Sequence, residues 1–247
     1  MKYLVYVISL AKDTQKRQNL KNQFKNYDDF EIIDAINGKN LNAKEYYDLI
    51  IPYFNHTKNI ISPAEVGCAL SHIKACEKFL QMGGVKHCLI LEDDCLGNDE
   101  CIKKAFEIAQ NLPQNSFFHL GGFEQFKPPK IWGKIYNHTL NLSPLCIKNL
   151  TSAVSYIIDK KSALNILNAQ KSILSLSDDY EMILKSVENV YFKNLFGVDL
   201  ADSNIQDERS LKIKSKKPLF KKLSPILFAD KYLKGNVFAK NLNLFRD

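Results

Sequence analysis

Three consecutive carboxylates, Glu92, Asp93 and Asp94, directly follow the apolar residues 88–91. Because neighbouring anions repel one another, their clustering favours a site where a divalent cation relieves the repulsion. If the extended backbone continues, Glu92 and Asp94 point to one side and Asp93 to the other. Two carboxylates at this spacing suit Mn²⁺ or Mg²⁺, whose remaining positions a diphosphate can fill. The pattern predicts metal-assisted departure of a nucleoside diphosphate, with a solvated acidic turn as the alternative.

Further charged residues could complete such a site. Asp178 and Asp179 stand at the predicted start of a later helix, where an aspartate is usually a cap but could also be a general base. Arg17 lies on the first predicted helix and could reach a phosphate, although most surface arginines do not. His119 ends a predicted strand, where a hydrogen-bonded core histidine is the expected role.

Cys68, His72 and Cys76 share one face of a predicted helix at four-residue spacing. A single straight helix spreads three such ligands over about 12 Å and cannot surround a tetrahedral ion. We therefore reject a zinc site made of these three residues and expect Cys76 in the core. His72 could still face a cleft. The six cysteines contain no CxxC pair, and we expect them to be reduced.

The elements that must position these residues alternate along the chain. The predicted strands are residues 3–10, 30–35, 85–91, 116–120, 153–158 and 190–198, and the predicted helices are residues 14–25, 43–51, 62–82, 99–111, 160–169 and 178–188. The clearest helix start is Ser62-Pro63-Ala64-Glu65, which has the pattern of a capping box with proline in the first turn. The alternation predicts an α/β fold, a Rossmann-type, mostly parallel sheet flanked by helices, with ligands beyond the carboxyl ends of the strands.

The charge of the 247-residue chain is concentrated at its end. Residues 211–247 hold ten Lys and Arg and two Asp, a net charge of +8, whereas residues 1–210 hold 24 basic and 25 acidic residues, a net charge of −1. The body therefore offers no basic nucleic-acid surface, and we expect no nucleic-acid partner. Because large apolar residues interleave the lysines, we expect residues 211–247 to be an amphipathic tail on an anionic membrane surface. Docking of the tail on its own domain, or binding to RNA or a protein, remains the alternative.

No apolar run is long enough to span a bilayer. Residues 3–10 are better interpreted as a buried strand than as a signal peptide, since the run is short and lacks a cleavage site. We therefore expect a cytoplasmic protein, and the tail would make it peripheral on the cytoplasmic face of the inner membrane. Its domains would be residues 1–210 and the tail, residues 211–247.

A series of motifs resembles glycosyltransferase family 25, the lipooligosaccharide galactosyltransferase family of Gram-negative bacteria. In chain order they are Val7–Leu10, Arg17, Asp34-Ala35 with Gly38, Ser62–His72, and Leu89–Asp94. The resemblance is strongest from residue 3 to about residue 95, continues more weakly to about residue 205, and excludes the tail.

This resemblance implies a GT-A fold, a UDP-sugar donor, and dependence on Mn²⁺ (or Mg²⁺) with inversion at the anomeric carbon. It matches Glu92 and Asp94 to the metal-binding acidic motif. It matches Ser9, Leu10, Asp34 and Ala35 to segments that would line the nucleotide pocket, and Ser71 and His72 to the end of a helix motif without a specific role. With Arg17, we group these residues as the predicted donor-binding set. Asp179 matches a later acid and is our first choice for the general base. The segment Leu176-Ser-Asp-Asp179 departs from the family pattern, so Asp178 and Asp93 remain alternatives.

We therefore expect transfer of a hexose, most simply galactose, from a UDP-sugar to a lipooligosaccharide or lipopolysaccharide acceptor. UDP-GlcNAc or UDP-glucose as donor is the first alternative. A non-catalytic membrane-associated adaptor with a degenerate nucleotide pocket is another, and an RNA-binding protein that uses its tail is the last.

Overall fold

The computed structural model describes residues 3–123 and 129–199, and the structural statements below concern these residues. The tail predicted over residues 211–247 lies outside them. None of the helices in the described part of the chain is both long and apolar enough to cross a membrane.

Nine strands and six helices make up the described fold. The strands are β1 (Val5–Ser9), β2 (Glu31–Asp34), β3 (His87–Glu92), β4 (Cys95–Leu96), β5 (Ser116–Gly121), β6 (Gly133–Tyr136), β7 (Thr139–Leu142), β8 (Ser155–Asp159) and β9 (Asn189–Val198). The helices are α1 (Thr14–Gln23), α2 (Ala43–Thr57), α3 (Pro63–Gln81), α4 (Asp99–Ala109), α5 (Lys160–Ser172) and α6 (Tyr180–Ile183).

All nine strands belong to one sheet, in the order β2-β1-β3-β8-β5-β9-β7-β6, with β4 paired to β9. Strand β1 is parallel to both β2 and β3, and β5 is parallel to β9. Strand β8 runs antiparallel between β3 and β5, and β7 runs antiparallel to β9 and β6. Along this order only β8 and β7 oppose the direction of the others, which confirms the predicted α/β fold with a mostly parallel sheet.

The central strands are buried on both faces, which explains their continuous apolar sequence. On one face, Tyr6 and Ile90 pack with residues of α3 and α5. On the other face, Val7 and Leu89 pack with residues of α1 and α4. This packing fixes the register of β1 and β3, and with it the position of the residues that follow their carboxyl ends.

The carboxyl ends of three parallel strands meet at one edge of the sheet. In the strand register, Ser9 pairs with Asp34, and Ile8 pairs with Glu92. Helix α3 begins nearby with the predicted capping box, in which Ser62 and Glu65 each accept a hydrogen bond from the other's backbone N–H. The candidate site residues from three separate segments are thereby brought to the same edge.

Two helix predictions require correction. The helix predicted over residues 43–51 continues through Pro52 to Thr57, because Ile50 and Tyr53 bury one of its faces. The helix predicted over residues 178–188 is only α6, Tyr180–Ile183. It ends early because the chain must reach β9, where Asn189 pairs with Ser116 of β5. The hairpin of β6 and β7 was not predicted.

Candidate active site

A cleft of about 140 Å³ opens beyond the carboxyl ends of β1 and β3. Its lining combines the three predicted carboxylates, a set of basic residues, and small or apolar residues from the loops after β1 and β2. The members are Ile8, Ser9, Leu10, Lys12, Asp13, Lys16, Ala35, Ile36, Asn37, Gly38, Lys39, Ala64, Cys68, Ser71, Glu92, Asp93 and Asp94. Four residues of the predicted donor-binding set, Ser9, Leu10, Ala35 and Ser71, therefore line the cleft beside all three acids.

The three acids do not alternate as a continuing strand would require. Strand β3 ends at Glu92, and Asp93 and Asp94 lie in a turn, so the side chains take separate directions. Glu92 turns toward α3, where His72 lies 2.9 Å from its Oε1. Asp93 forms an ion pair with Lys16 at 3.4 Å. Oδ1 of Asp94 is buried and has no hydrogen-bond partner among the described residues.

The acids differ in their protonation because their surroundings differ. Burial, with a further contribution from Glu92, raises the pKa of Asp94 to about 8. Burial also raises the pKa of Asp93, against the opposing effect of Lys16. Burial opposes ionisation of Glu92 as well, but hydrogen bonds from His72 and Cys68 outweigh it and lower the Glu92 pKa. Among the three acids, Glu92 is thus the one whose pKa its surroundings lower.

The carboxyl oxygens of this cleft fit a hard divalent cation as ligands. Four acidic residues line the cleft, since Asp13 joins the three acids, and the buried Oδ1 of Asp94 lacks, within the described part of the chain, the partner that a buried polar atom normally has. A cation bound there would supply that partner and would restore the charged form of Asp94. Glu92 and Asp94, the two residues that the sequence assigned to such a cation, would hold it, and this assignment stays a prediction; the strand geometry assumed for them is wrong.

A buried cluster stands behind Glu92. His72, which is 6% exposed, contacts Glu92 through Nε2 and the hydroxyl of Tyr156 through Nδ1, at 2.7 Å. The Cys68 thiol lies 3.6 Å from the same Oε1 of Glu92. The ligand atoms of Cys68, His72 and Glu92 lie within 4.8 Å of one another, so these three residues could also hold a metal ion. Cys76 is buried in the core, as expected, and all six cysteines are free.

Ser71 and two glycines hold α3 close to the loop after β2, beside the cleft. The Ser71 hydroxyl donates to the Gly67 carbonyl at 2.6 Å and accepts from the backbone N–H of Ile36 at 2.8 Å. A Cβ atom on Gly67 would stand 2.4 Å from the Ile36 carbonyl oxygen, and one on Gly38 would stand 1.8 Å from the Pro63 carbonyl oxygen. Glycine at these positions lets α3 approach the loop after β2, which shapes the cleft.

Arg17 lies beside the cleft rather than in its lining. Its guanidinium donates to the hydroxyl and the carbonyl of Ser9 and to the carboxylate of Asp34, each at 3.0 Å. It therefore ties the end of β1 to the end of β2. The basic residue of α1 that faces the acids is its neighbour Lys16. The sequence did not indicate that Lys16 rather than Arg17 would face the acids, because α1 is almost entirely polar and Leu20 is its one buried residue.

Of the three aspartates predicted as candidate general bases, only Asp93 lines the cleft, and Asp178 and Asp179 do not. Asp178 accepts from the backbone N–H of Ser152 at 3.2 Å, and Asp179 accepts from the Tyr53 hydroxyl at 3.1 Å. Asp179 lines a separate groove between α2 and α5. Burial raises the pKa of Asp179, which the Tyr53 hydrogen bond opposes.

His119 is a core residue, as its sequence position indicated. It is fully buried, and its Nε2 donates to the carbonyls of Thr151 and Ser152 at 3.1 and 2.9 Å. Its Nδ1 accepts from the backbone N–H of Gly121. Burial lowers the pKa of His119 to about 4. Both ring nitrogens are thus used to hold the neutral ring in place.

Comparisons with known proteins identify a family for the chain. Residues 3–182 match the family model described as glycosyltransferase family 25 (LPS biosynthesis protein). Among solved structures, a glycosyltransferase involved in the glycosylation of the major capsid of PBCV-1 is similar, with a TM-score of 0.42 and 11% identity over 85% of this chain and 98% of that chain. Mannose-1-phosphate geranyltransferase from Thermus thermophilus is similar with a TM-score of 0.41 and 12% identity, over 78% and 73% of the two chains. The curated proteins include no match to the chain.

Proposed function

The chain belongs to glycosyltransferase family 25, and on that premise we propose that it transfers a hexose, most simply galactose, from a UDP-sugar to a lipooligosaccharide or lipopolysaccharide acceptor. One observation carries this proposal: Glu92, Asp93 and Asp94 line a single cleft beyond the carboxyl ends of parallel strands. In α/β proteins that position is where nucleotides bind.

The donor would occupy the cleft with its diphosphate near the acids. Ser9, Leu10 and Ala35 line the cleft where the resemblance places the nucleotide. Glu92 and Asp94 would hold Mn²⁺ or Mg²⁺, which, when bound, neutralises charge on the leaving diphosphate. Lys16, whose pKa the nearby Asp93 and Asp94 raise against the effect of burial, keeps a positive charge beside the same position.

In this proposal the acceptor hydroxyl is deprotonated by Asp179. The acceptor oxygen forms a bond to the anomeric carbon on the face opposite UDP, the bond to UDP breaks, and the proton passes to the Asp179 carboxylate. Two features support this role: burial raises the Asp179 pKa, and the Tyr53 hydroxyl fixes the carboxylate beside a groove open to solvent. Asp178 and Asp93 are the alternative bases.

We extend the proposal to the cell membrane. Residues 211–247, with a net charge of +8 and many large apolar side chains, would hold the enzyme on the anionic cytoplasmic face of the inner membrane. Each lysine near such a surface contributes about 1 kcal/mol. The tail would then concentrate the enzyme on the surface that carries its lipid-linked acceptor.

A donor screen tests the proposal. The intact chain is incubated with Mn²⁺, a truncated oligosaccharide acceptor and, in turn, UDP-galactose, UDP-glucose or UDP-GlcNAc, and the product is detected by mass spectrometry. A mass increase of one hexose with UDP-galactose is expected. If product forms only with one of the other two UDP-sugars, that sugar replaces galactose in the proposal. Failure of calorimetry to detect UDP binding, with or without Mn²⁺, would favour the adaptor alternative instead.

A further inference from the structure

We propose that His72 is a positioning residue that aims the Glu92 carboxylate into the cleft, and that Tyr156 holds His72 in the orientation this requires. The inference rests on the proposed function, because it assigns Glu92 to the donor's cation. It also gives a role to a residue that the sequence grouped with the donor-binding set. His72 does not line the cleft, whereas Glu92 does, so any effect of His72 on the donor passes through Glu92.

The proposal fixes the direction of the hydrogen bond to Glu92. A carboxylate that binds a cation is ionised and can only accept, so Nε2 of His72 donates to Oε1 at 2.9 Å. On the other side of the ring, Nδ1 of His72 lies at a hydrogen-bond distance of 2.7 Å from the Tyr156 hydroxyl oxygen. Burial raises the Tyr156 pKa well above its ordinary value, so this hydroxyl keeps its proton. A continuous chain of hydrogen bonds thus links Tyr156 through His72 to Glu92.

The sheet and its core fix the outer end of this chain. Tyr156 lies on β8 opposite Ile90 of β3, two residues before Glu92. Its ring stacks on Phe117 with a centroid distance of 4.9 Å and on His72 with one of 5.6 Å. A hydroxyl held in this way has little freedom to rotate away from His72, so the imidazole is fixed relative to β3.

The two carboxylate oxygens of Glu92 have different roles in this arrangement. Its two side-chain hydrogen bonds, from His72 and Cys68, both go to Oε1. Oε2 makes no hydrogen bond with any residue in the described part of the chain. One oxygen is thus used to orient the carboxylate, and the other is left for a ligand in the cleft.

The distances favour this role over a metal ion shared by Cys68, His72 and Glu92. The 2.9 Å between Nε2 and Oε1 is an ordinary hydrogen-bond length. A tetrahedral zinc ion, with ligand bonds of about 2.0–2.1 Å, would hold two such atoms about 3.3 Å apart. The three residues therefore form a hydrogen-bonded group in which His72 already satisfies Oε1.

Direct binding of Mn²⁺ to the intact protein tests the inference without measuring activity. Electron paramagnetic resonance of free Mn²⁺ gives the affinity of the parent, His72→Phe, His72→Gln and Tyr156→Phe. We expect His72→Phe to weaken Mn²⁺ binding about 10- to 100-fold, the range found when outer partners of metal ligands are removed. Because the glutamine amide can donate in place of Nε2, His72→Gln should recover most of this loss. Tyr156→Phe should lose less than His72→Phe.

Three controls make the result decisive. His87→Gln changes a histidine at the opposite end of β3 and should bind Mn²⁺ as the parent does. Circular dichroism shows whether each variant is folded, and Tyr156→Phe and His72→Gln decide the matter if His72→Phe does not fold. The cobalt-loaded parent should show no thiolate-to-metal charge-transfer band, because Cys68 is not a ligand in this inference.

The outcomes separate this inference from the proposed function. Folded His72→Phe and Tyr156→Phe proteins that bind Mn²⁺ as tightly as the parent would overturn the positioning role and leave the proposed function standing. A thiolate band that disappears in Cys68→Ser would also overturn it, in favour of metal ligation by the three residues. A parent that binds UDP but no Mn²⁺ would refute the cation assignment and the positioning role together.

Discussion

The sulfur of Cys68 lies 3.2 Å from the hydroxyl oxygen of Ser177, a residue 109 positions further along the chain. Since the same sulfur lies 3.6 Å from Glu92, one side chain touches both the acidic end of β3 and the segment that leads to Asp178 and Asp179. The two groups of carboxylates therefore approach α3 at the same side chain, Cys68. In the proposed function, one group serves the donor and the other serves the acceptor.

Asp94→Asn should greatly reduce transfer and should stabilise the metal-free protein. The folded-state pKa of Asp94 is about 8 against an ordinary value of 3.8, so between these values the folded state holds a proton that the unfolded chain lacks. Stability therefore falls as pH rises from about 4 to about 8, and asparagine removes this loss. Without metal at pH 8, calorimetry should show a higher melting temperature for the variant, by about 2–4 °C for each kcal/mol gained.

The difference should shrink as pH falls, and near pH 4, the ordinary pKa that Asp94 has in the unfolded chain, the two melting temperatures should converge. Activity of Asp94→Asn should fall at least about 100-fold, since it loses an oxygen ligand to the cation. Near-parental turnover with Mn²⁺ would contradict the metal assignment. A variant less stable than the parent at pH 8 would contradict the raised pKa of Asp94.

Asp179→Asn should lower kcat by about 10²–10⁴-fold with little change in UDP affinity, because it removes a general base and leaves the cleft intact. Asp178→Asn is the matched comparison one residue away. Its carboxylate accepts from the Ser152 backbone N–H, so we expect it to affect stability more than the chemical step. Steady-state kinetics and calorimetry with UDP distinguish the two. If Asp178→Asn or Asp93→Asn shows the larger loss of kcat, that residue replaces Asp179 as the base.

Gly67→Ala should destabilise the protein by about 1–3 kcal/mol, although alanine is the better helix former. The added Cβ would stand 2.4 Å from the Ile36 carbonyl oxygen and 2.5 Å from the Gly38 nitrogen. Gly83→Ala is the control, because no described atom lies within 4 Å of a Cβ at that position. Urea unfolding measures both. Equal stability of the two variants would show that α3 does not approach the loop after β2 this closely.

His119 should make the protein sensitive to acid. Its pKa is lowered by burial from 6.5 to about 4, so below about pH 6.5 the unfolded chain binds a proton that the folded protein does not. Stability is therefore lost as pH falls from 6.5 to 4, by up to about 1.4 kcal/mol per pH unit. His119→Gln should be less stable at pH 7.5 but should lose stability less steeply in this window. Urea unfolding gives the free energy of unfolding of both proteins at each pH. If the two free energies fall in parallel from pH 7.5 to 4.5, this assignment is contradicted.

Removal of residues 211–247 should abolish sedimentation with anionic phospholipid vesicles. The intact chain should bind such vesicles at low salt and release them as the salt concentration rises, because charge attraction is screened. Neutral vesicles serve as the control. Co-sedimentation that survives removal of the tail would refute the membrane proposal, and steep salt-dependent binding to RNA that is lost with the tail would favour the RNA alternative.

Local sequence determined the main elements of this fold and predicted the acids that line its cleft. The continuous apolar run before Glu92 predicted a strand buried on both faces, and Ser62 to Glu65 predicted the start of α3 to the residue. Both signals depend on neighbours within a few positions, so they survive without tertiary information. The three acids at the end of β3 pointed to a ligand site, because ligands of α/β folds bind beyond the carboxyl ends of the strands.

Side-chain directions at the site were decided by the tertiary structure. The alternation expected for Glu92 and Asp94 ended with the strand, and packing against α3 set the direction of Glu92 instead. Tyr156, 84 residues from His72, gave no sequence signal as its partner. Lys16 rather than Arg17 faces the acids. Helix α1 has little apolar pattern of its own, and the burial of one residue, Leu20, sets which of its sides faces the protein. Periodicity describes one element at a time, whereas these contacts depend on how separate elements pack together.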